Sequence, residues 1–269
     1  MKYKKNFFDC ITFFRENFIT NLRFEILNEV VDYFVICESL YDHLGKKKKF
    51  NFKLNNKKFN NKIIYIQMLD KLPSNFTPWQ RQAYQRDYML KNLKIVLPDD
   101  YIFFSDPDEI PNPKTLKKFQ LQKKYAIFLQ KHFTYKFNIF NKYDTPWSGT
   151  RVSMYKDLKS IDFMRQKVLI KNLHKWWRPD KEKSIQIVED GGWHFNNLFS
   201  PKEISIKLKT FAHQEFSLNK FSNHSVIKNK IKKLEDLFGR NQKFKIVPLD
   251  DSFPNFVIKN KNKLKKFIV

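Results

Sequence analysis

One short segment of this sequence concentrates the groups best suited to chemistry, and we call it the acidic turn: Ser105-Asp106-Pro107-Asp108-Glu109-Ile110-Pro111. Three carboxylates this close together repel one another unless a cation or a proton offsets their charge. A hard divalent cation that also binds phosphate oxygens is the natural partner of such oxygen donors. A metal held by an Asp-x-Asp pair suits transfer from a nucleotide-sugar donor, because it neutralises charge on the departing nucleoside diphosphate.

Two other interpretations of the acidic turn stay open at this point. Asp-x-Asp is short enough to occur by chance, and a solvated turn without any ligand has the same composition. Carboxylates of this kind also serve two-metal nucleases, although no further acidic cluster in the sequence completes such a site. The strand pattern before the turn and the prolines within it favour the metal site.

A second segment, which we call the glycine segment, places carboxylates, glycines, a tryptophan and a histidine side by side: Val188-Glu189-Asp190-Gly191-Gly192-Trp193-His194-Phe195. Adjacent glycines in a chain with only 5 glycines indicate a close backbone approach or unusual dihedral angles. Glu189 or Asp190 is placed to act as a general base toward an acceptor hydroxyl. Trp193 suits stacking on a sugar ring, and His194 suits a ligand, a hydrogen-bond donor or a structural residue.

The third candidate is the segment Phe211-Ala212-His213-Gln214-Glu215-Phe216. His213 and Glu215 fit the exposed end of a helix. The alternative is that His213 contacts a metal ion or a diphosphate.

A strand is needed to position the acidic turn, and the residues before it supply one. Tyr101-Ile102-Phe103-Phe104 is an apolar run typical of a buried strand, which the following prolines stop. Upstream, strand patterns at 7–14, 33–37 and 63–66 alternate with helix patterns, which predicts a mostly parallel sheet covered by helices. Ligands bind to such sheets beyond the carboxyl ends of the strands, and the acidic turn lies at such an end.

Extended and helical patterns follow the acidic turn in that order. Runs typical of strands occur at 125–129, 132–140 and 151–155, and residues 184–195 also look extended. From residue 201 onward apolar positions recur at helical spacing, at 204, 208 and 211 and again at 227, 231, 234 and 238. Neither a repeat nor a linker interrupts the chain, so we predict a single domain.

One helix of the first half buries a charge on its apolar side. The residues Thr77-Pro78-Trp79-Gln80 predict its start, with Thr77 as the N-cap. Its apolar stripe is predicted at positions 79, 83, 90 and 93, and Arg86 falls in the middle of that stripe. A buried arginine needs an anionic partner. We expect a core carboxylate, Glu29 or Glu38, and a substrate phosphate is the alternative.

The overall charge suggests an anionic partner without identifying it. Fifty-two Lys and Arg residues against 27 Asp and Glu residues give a net charge of +25 in 269 residues. Most lysines are scattered, and no zinc-finger, RRM or phosphate-loop pattern occurs, so the sequence does not favour nucleic acid as the main partner. Anionic substrates or an anionic membrane surface fit better. Cys10 and Cys37 lie in apolar runs and read as core residues.

Taken in order, these motifs resemble glycosyltransferase family 17, which includes the β-1,4-N-acetylglucosaminyltransferases that add bisecting GlcNAc to N-glycans. The resemblance covers about residues 6–220, with a further tail at 254–268, and rests on residues 8–16, 22–39, 78–86, 105–111, 192–195 and 211–216. Several spaced motifs in the same order are more specific than any one of them.

The resemblance implies a GT-A-type α/β fold, with a mostly parallel central sheet flanked by helices and a helical C-terminal part. It implies a nucleotide-sugar-binding half at about 1–112, an acceptor and catalytic half at about 113–220, and a helical tail at 221–269. The implied reaction uses UDP-GlcNAc as donor and a divalent metal, Mn²⁺ or Mg²⁺, and it inverts the anomeric carbon.

The resemblance also implies roles for individual residues. Asp106, Asp108 and His213 are the metal candidates. Asp190 is the first choice for the base and Glu189 the second. Donor contacts are expected from Glu38, Arg81, Arg86 and Glu109, of which Glu109 more readily orients the loop, and acceptor contacts are expected from Trp193 and His194.

The expected biological setting follows from the resemblance and from the absence of any long apolar stretch. Animal members of the family carry a membrane anchor and a longer stem, whereas no signal peptide or run of 18 apolar residues is visible here. We therefore expect a cytoplasmic protein, peripheral at the membrane, that acts on a glycan acceptor such as a lipid-linked surface glycan or lipopolysaccharide. The rival hypotheses are a basic nucleic-acid-binding protein and a non-catalytic glycan-binding module that uses Trp193 and Trp147.

Overall fold

A computed structural model describes residues 4–170, 173, 175–177, 182–210 and 214–269. Eleven strands in these ranges join in one sheet. The strands are β1 (Phe7–Phe13), β2 (Tyr33–Ser39), β3 (Ile63–Met68), β4 (Tyr101–Ser105), β5 (Glu109–Pro111), β6 (Tyr125–Thr134), β7 (Ile139–Phe140), β8 (Trp147–Met154), β9 (Ile185–Val188), β10 (Gly192–Asn196) and β11 (Lys245–Ile246). The α-helices are α1 (Asn17–Leu27), α2 (Pro78–Asn92), α3 (Pro113–Leu116), α4 (Ile161–Met164), α5 (Pro201–Thr210), α6 (Asn219–Ser222), α7 (His224–Lys232) and α8 (Asn255–Lys259).

The first half of the chain forms the parallel part of the sheet, in the order β3-β2-β1-β4. β1 pairs in parallel with β2 and with β4, and β2 pairs in parallel with β3. The carboxyl ends of these strands therefore meet at one edge, where an open sheet binds its ligands. This arrangement confirms the predicted mostly parallel sheet.

Helices cover both faces of this parallel part, as the predicted fold class requires. The apolar residues of β2 alternate between two cores because successive side chains of a strand point to opposite faces. Phe34 packs with Phe24 of α1 on one face. On the other face Val35 shares a core with Met89 of α2. Cys10 and Cys37 are free and buried, as the sequence predicts.

β6 links the parallel part to the second half of the molecule. It pairs antiparallel with β8, which in turn pairs antiparallel with β4. Both β9 and β10 run parallel to β6, with β9 against Tyr125–Phe128 and β10 against Lys131–Thr134. β9 and β10 are thus two successive pieces of one line along the sheet, separated by residues 189–191.

The prolines end β4 as predicted, but part of the acidic turn is itself a strand. Glu109–Pro111 forms β5, whose pairing partner within the described residues is β10. A proline is tolerated there because β5 pairs along one side alone.

The start of α2 confirms its predicted cap, whereas the predicted apolar stripe is confirmed in part: Arg86 and Leu93 are buried as predicted, and Trp79 is not. Thr77 accepts a hydrogen bond from the Gln80 backbone, and the Gln80 side chain accepts one from the Thr77 backbone. Trp79 is 50% exposed, and the buried positions of α2 include Gln85 and Arg86. Burying these polar side chains is possible because they find partners: Gln85, for example, donates to the Cys37 carbonyl at 2.9 Å.

The C-terminal part packs as a smaller unit of helices, as predicted. Ile204 and Leu208 of α5 and Ile227 of α7 form a third core with residues of β7 and its neighbours. The predicted helical spacing continues too far, because α7 ends at Lys232 and Leu234 has a positive φ of 56°. No helix in the described ranges is long and apolar enough to cross a membrane.

Candidate active site

A large cavity opens at the carboxyl ends of β1, β2 and β4, where the topology predicts a ligand site. Its volume is about 610 Å³. Residues from both halves of the chain line it, including Thr12, Phe14, Tyr41, Arg86, Asp106, Asp108, His132, Asp144, Trp147, Arg165, His194, Lys207 and Arg240. The acidic turn therefore reaches the cavity, and the second half of the chain closes the opposite side.

Glu109 fixes the shape of the acidic turn from beneath. Its side chain is fully buried and accepts hydrogen bonds from Trp147 Nε1 at 2.7 Å, Arg165 Nη1 at 2.8 Å and the Asp106 backbone N–H at 3.0 Å. The Asp106 carbonyl accepts a bond from the Glu109 N–H in return, at 2.9 Å. With these donors in place, Glu109 orients the turn and does not line the cavity.

A buried ion pair anchors the same turn to α1 and β1. Arg23 is fully buried and its guanidinium binds both carboxylate oxygens of Asp9, at 2.5 and 2.6 Å. It also donates to the Glu109 carbonyl at 2.5 Å and to Ser105 Oγ at 3.0 Å. Such bidentate contacts hold planar geometry well, so Arg23 fixes where β4 ends and the acidic turn begins.

Asp106 faces two arginines across the cavity wall. Arg165 Nη2 lies 2.9 Å from Asp106 Oδ2, and Arg86 Nη2 lies 3.9 Å from Asp106 Oδ1. Arg86 also binds Asp162 at 3.0 Å. Its predicted partner, Glu29 or Glu38, is therefore wrong: Arg86 lies near the carboxyl end of the strands, where Asp106 and Asp162 are the acids within reach.

Asp108 lies deeper than Asp106 and contacts two other basic groups. His194 Nε2 and Lys207 Nζ are each 3.5 Å from its carboxylate oxygens. Burial alone would raise the pKa of Asp108, but the charges of Lys207 and His194 outweigh it and hold the pKa well below its usual range. Asp108 is therefore ionised at neutral pH, with Lys207 and His194 as its basic neighbours.

Two stacked histidines form the floor of the cavity beside Asp108. The rings of His132 and His194 lie 4.5 Å apart, because the two residues are register partners on β6 and β10. Trp147 packs against both rings. Within the described residues, His132 Nδ1, His132 Nε2 and His194 Nδ1 have no hydrogen-bond partner. Burial is the main reason that the pKa of His132 falls to about 2, which keeps this ring neutral.

Asp144 stands at the far side of the histidine pair. Its Oδ2 is 3.7 Å from His132 Nδ1 and 3.2 Å from Arg240, and Asn141 donates to it at 2.8 Å. Its side chain is 22% exposed and lines the cavity. The cavity thus contains a carboxylate that does not belong to the acidic turn.

The period of β10 separates the two acceptor candidates, Trp193 and His194. Successive side chains of a strand point to opposite faces. His194 faces the cavity, whereas Trp193 is buried in the core, where its Nε1 donates to the Ser252 carbonyl at 2.9 Å. The structure brings His194 to the site and does not bring Trp193 there.

Glu189 and Asp190 are exposed and lie outside the residues that line the cavity. Asp190 has a positive φ of 49°, and its carboxylate accepts a hydrogen bond from Asn112 Nδ2 at 2.9 Å. Gly192 has a φ of 125°, and a Cβ there would lie 2.2 Å from the Ile110 carbonyl oxygen. The glycines therefore allow the close approach of β10 to β5 that the sequence suggests.

The donor candidates Glu38 and Arg81 also lie behind the cavity wall. Glu38 is fully buried and accepts bonds from Lys48 Nζ, the backbone of Asn51 and Phe52, and the Tyr65 hydroxyl. Arg81 donates to the carbonyls of residues 73, 74 and 76. Both therefore hold loops that border the site, and Arg86 is the donor candidate that reaches it.

The donor set of the acidic turn suits a hard divalent ion only in part. Asp106 and Asp108 supply carboxylate oxygens, but the described ranges contain no group of three or more His, Cys, Asp or Glu residues that could hold a metal. His213 lies outside the described residues. A cation bound through one or two carboxylates completes its shell with water and substrate phosphates, so the residues fit a metal that shares the site with a diphosphate.

Sequence reasoning missed several residues that line this site. Arg165, Lys207, Asp144 and His132 stand in segments with no motif of their own, and the fold brings them to the acidic turn. The strand period was the one signal that could have indicated His132. On β6 it places His132 on the same polar face as Gln130 and Thr134, whereas Phe133 points to the other face.

Comparisons with known proteins point to a glycosyltransferase family. A profile of the family described as Glycosyltransferase family 17 matches residues 1–265. Relatives from Homo sapiens and Rattus norvegicus, both named Beta-1,4-mannosyl-glycoprotein 4-beta-N-acetylglucosaminyltransferase, are 25% and 24% identical over 225 residues, or 74% of this chain. These matches span 42% and 41% of the relatives, so the chain covers less than half of their length.

A solved structure also shows a weak likeness. It is described as a glycosyltransferase involved in the glycosylation of the major capsid of PBCV-1, with a TM-score of 0.28 and 8% identity. The likeness covers 68% of this chain and 81% of that one.

Proposed function

This chain belongs to glycosyltransferase family 17, and from that premise we propose that it moves a sugar from a nucleotide-sugar donor onto a hydroxyl of a glycan acceptor. The proposed donor is UDP-GlcNAc, transferred with inversion at the anomeric carbon; the names of the relatives support N-acetylglucosamine as the sugar and a β-1,4 linkage. The observation that carries the proposal is the cavity of about 610 Å³ in which the acidic turn meets arginines at the ends of parallel strands.

The donor side of the cavity is the side formed by β1, β2 and α2. Thr12, Phe14 and Tyr41 offer polar and aromatic groups for a nucleoside next to the acidic turn. Arg86 and Arg165 lie at the same turn and supply positive charge where the donor diphosphate would sit. A divalent metal, Mn²⁺ or Mg²⁺, would be held by Asp106 and Asp108 and would offset the charge of the departing diphosphate.

The acceptor side is the side formed by β6, β10 and the C-terminal helices. Trp147 and His194 offer ring faces at the cavity, which suit packing against a sugar ring. The position of His194 beside Asp108 supports its proposed acceptor role, since the acceptor must approach the sugar held at the acidic turn.

Inversion requires one displacement and one base. The acceptor oxygen forms a bond to the anomeric carbon while the bond to the phosphate oxygen breaks, the electron pair leaves with UDP, and a carboxylate takes the acceptor proton. Position in the sequence supports Asp190, with Glu189 second, whereas position in the cavity supports Asp144. We propose Asp144 as the structural candidate and retain Asp190 as its competitor.

We also propose that the acceptor is a surface glycan, such as a lipopolysaccharide or another lipid-linked oligosaccharide. The net charge of +25 favours approach to an anionic membrane surface that carries such an acceptor. A nucleic-acid partner would share this attraction, but its affinity would survive the loss of Asp106 and would fall steeply with salt.

The test is release of UDP from UDP-GlcNAc with and without Mn²⁺, in wild type and in Asp108→Ala. We expect metal-dependent release that the variant loses while its circular dichroism spectrum is unchanged. A thermal-shift screen of nucleotide sugars identifies the donor without knowledge of the acceptor. A ligand at a hundredfold excess over its Kd raises the free energy of unfolding by about 2.7 kcal/mol. Absence of both binding and turnover with every UDP-sugar would contradict the proposal.

A further inference from the structure

Lys207 is a further cation that contacts the acidic turn, in addition to Arg86 and Arg165. It extends from α5 into the cavity, its side chain is 23% exposed, and its Nζ lies 3.5 Å from Asp108 Oδ2 and over the Phe199 ring. It comes from the C-terminal half of the chain, on the side of the cavity opposite Arg86.

The contact of Lys207 with the acidic turn is looser than the contacts of Arg165. Arg165 is fixed by Glu109, Asp106 and the Gly149 carbonyl, with bonds of 2.8, 2.9 and 3.3 Å. Among the described residues, Asp108 is the single acid within 4.0 Å of Lys207, and 3.5 Å exceeds the 2.7–2.9 Å of a strong charge-assisted bond. A lysine ammonium on a four-carbon stem can leave such a partner, whereas a guanidinium held by three acceptors cannot.

The position of Lys207 conflicts with a metal bound alone at Asp108. Two cations that share one carboxylate repel each other, and the ammonium already neutralises the charge that would attract a divalent ion. A diphosphate removes this conflict because its oxygens attract the ammonium as well as the metal. The metal and the diphosphate then need each other at this site.

We propose that Lys207 is a diphosphate-binding residue that exchanges partners: it pairs with Asp108 in the free protein and turns to the donor diphosphate when Asp108 takes the metal. This inference rests on the proposed function. Its consequence is that metal alone binds weakly, and metal and nucleotide strengthen each other's binding by the same factor.

The test compares Lys207→Met with wild type in binding experiments that need no acceptor and no turnover. Affinity for Mn²⁺ alone is measured from the electron paramagnetic resonance signal of free Mn²⁺, and affinity for UDP by calorimetry with and without Mn²⁺. The variant is expected to bind Mn²⁺ alone more tightly than wild type. It is expected to bind UDP in the presence of Mn²⁺ about 10- to 100-fold more weakly, as suits the loss of one charge-assisted hydrogen bond.

Two variants act as controls for this result. Lys209→Met removes an exposed charge two residues further along α5 and is expected to leave both affinities unchanged. Lys207→Arg keeps the charge and is expected to retain most of the UDP affinity and the weak binding of Mn²⁺ alone. Thermal unfolding of each variant checks that the fold is intact.

The outcomes separate this inference from the proposed function. Wild type that fails to bind UDP with Mn²⁺ overturns the proposed function and the inference with it. Wild type that binds, together with a Lys207→Met variant whose two affinities are unchanged or fall together, overturns the exchange alone. Opposite changes in the two affinities support it.

Discussion

The acidic turn and the glycine segment both present neighbouring carboxylates after a strand, yet their carboxylates lie in different environments. Asp106 and Asp108 face the cavity and contact four basic side chains. Glu189 and Asp190 are exposed and outside it. The two regions are in contact, because β5 pairs with β10. Separation in space therefore does not explain why their carboxylates have different environments.

Position along the sheet explains it. β4 ends where the parallel strands end, so the residues after it enter the crevice. β9 stops halfway along β6, and β10 continues beside the second half of the same strand. Glu189 and Asp190 therefore lie at the break between β9 and β10, within the sheet. His194 and Asn196 lie on β10, beside the carboxyl end of β6. The comparison teaches that a carboxylate after a strand is placed for chemistry only when that strand ends at the ligand-binding edge.

The largest expected effect concerns the two candidates for the general base, Asp144 inside the cavity and Asp190 outside it. Asp144→Asn is expected to lower kcat by about 10²–10⁴-fold, the contribution of a general base. Asp190→Asn is expected to leave kcat close to wild type, because its side chain is exposed and outside the cavity. Steady-state UDP release with acceptor measures both. The reverse ranking would return the role to Asp190.

The second prediction breaks the support of the acidic turn. Arg23→Met leaves the buried Asp9 carboxyl group without its partner, and we expect the free energy of unfolding to fall by about 3–5 kcal/mol. Lys117→Met is the matched control, since its pair with Glu29 is exposed to solvent and contributes little to stability. Urea unfolding monitored by circular dichroism compares them. Equal losses would mean that Arg23 is not the anchor of the turn.

The third prediction tests the close packing of the glycine segment against β5. Gly192→Ala forces a Cβ to 2.2 Å from the Ile110 carbonyl at a positive φ, with an expected cost of at least about 1–3 kcal/mol. Gly239→Ala is the control, since its φ of 73° lies near the left-handed region and a Cβ there meets Phe221 at an ordinary 3.9 Å among the described residues. The difference between their urea midpoints reports the combined cost of the close approach and of the less favourable φ at Gly192. No difference would show that β10 can move away from β5 freely.

A last effect concerns the histidine floor between the two regions, and its size depends on pH. The pKa of His132 is lowered to about 2, so the folded protein keeps this ring neutral while the unfolded chain protonates it near pH 6.5. Stability is therefore full above about pH 6.5 and falls as pH decreases toward 2, by about 1.4 kcal/mol per unit for this group. His132→Phe is expected to flatten that slope between pH 6.5 and 4.5. An unchanged slope in urea titrations would contradict a buried neutral His132.

Local patterns predicted the first half of the molecule well, for a physical reason. Strand periodicity and the Thr77 capping box act between residues close in sequence, and both are confirmed. On α2 the burial of Arg86 was predicted, whereas that of Gln85 was missed because it depends on a partner from another element, the Cys37 carbonyl. Periodicity alone assigns such positions to solvent or to an apolar core, and neither applies.

The sequence by itself determined the family, the alternation of strands and helices, and a turn whose three carboxylates require cations. Tertiary structure alone decided which cations those are, because Arg86, Arg165, His194 and Lys207 come from four separate elements or loops. It also decided that His194 faces the cavity while Asp190 does not, since this depends on where β9 and β10 lie against β6. Carboxylates close in sequence predict that positive charge is needed nearby, and only the packed chain shows which groups supply it.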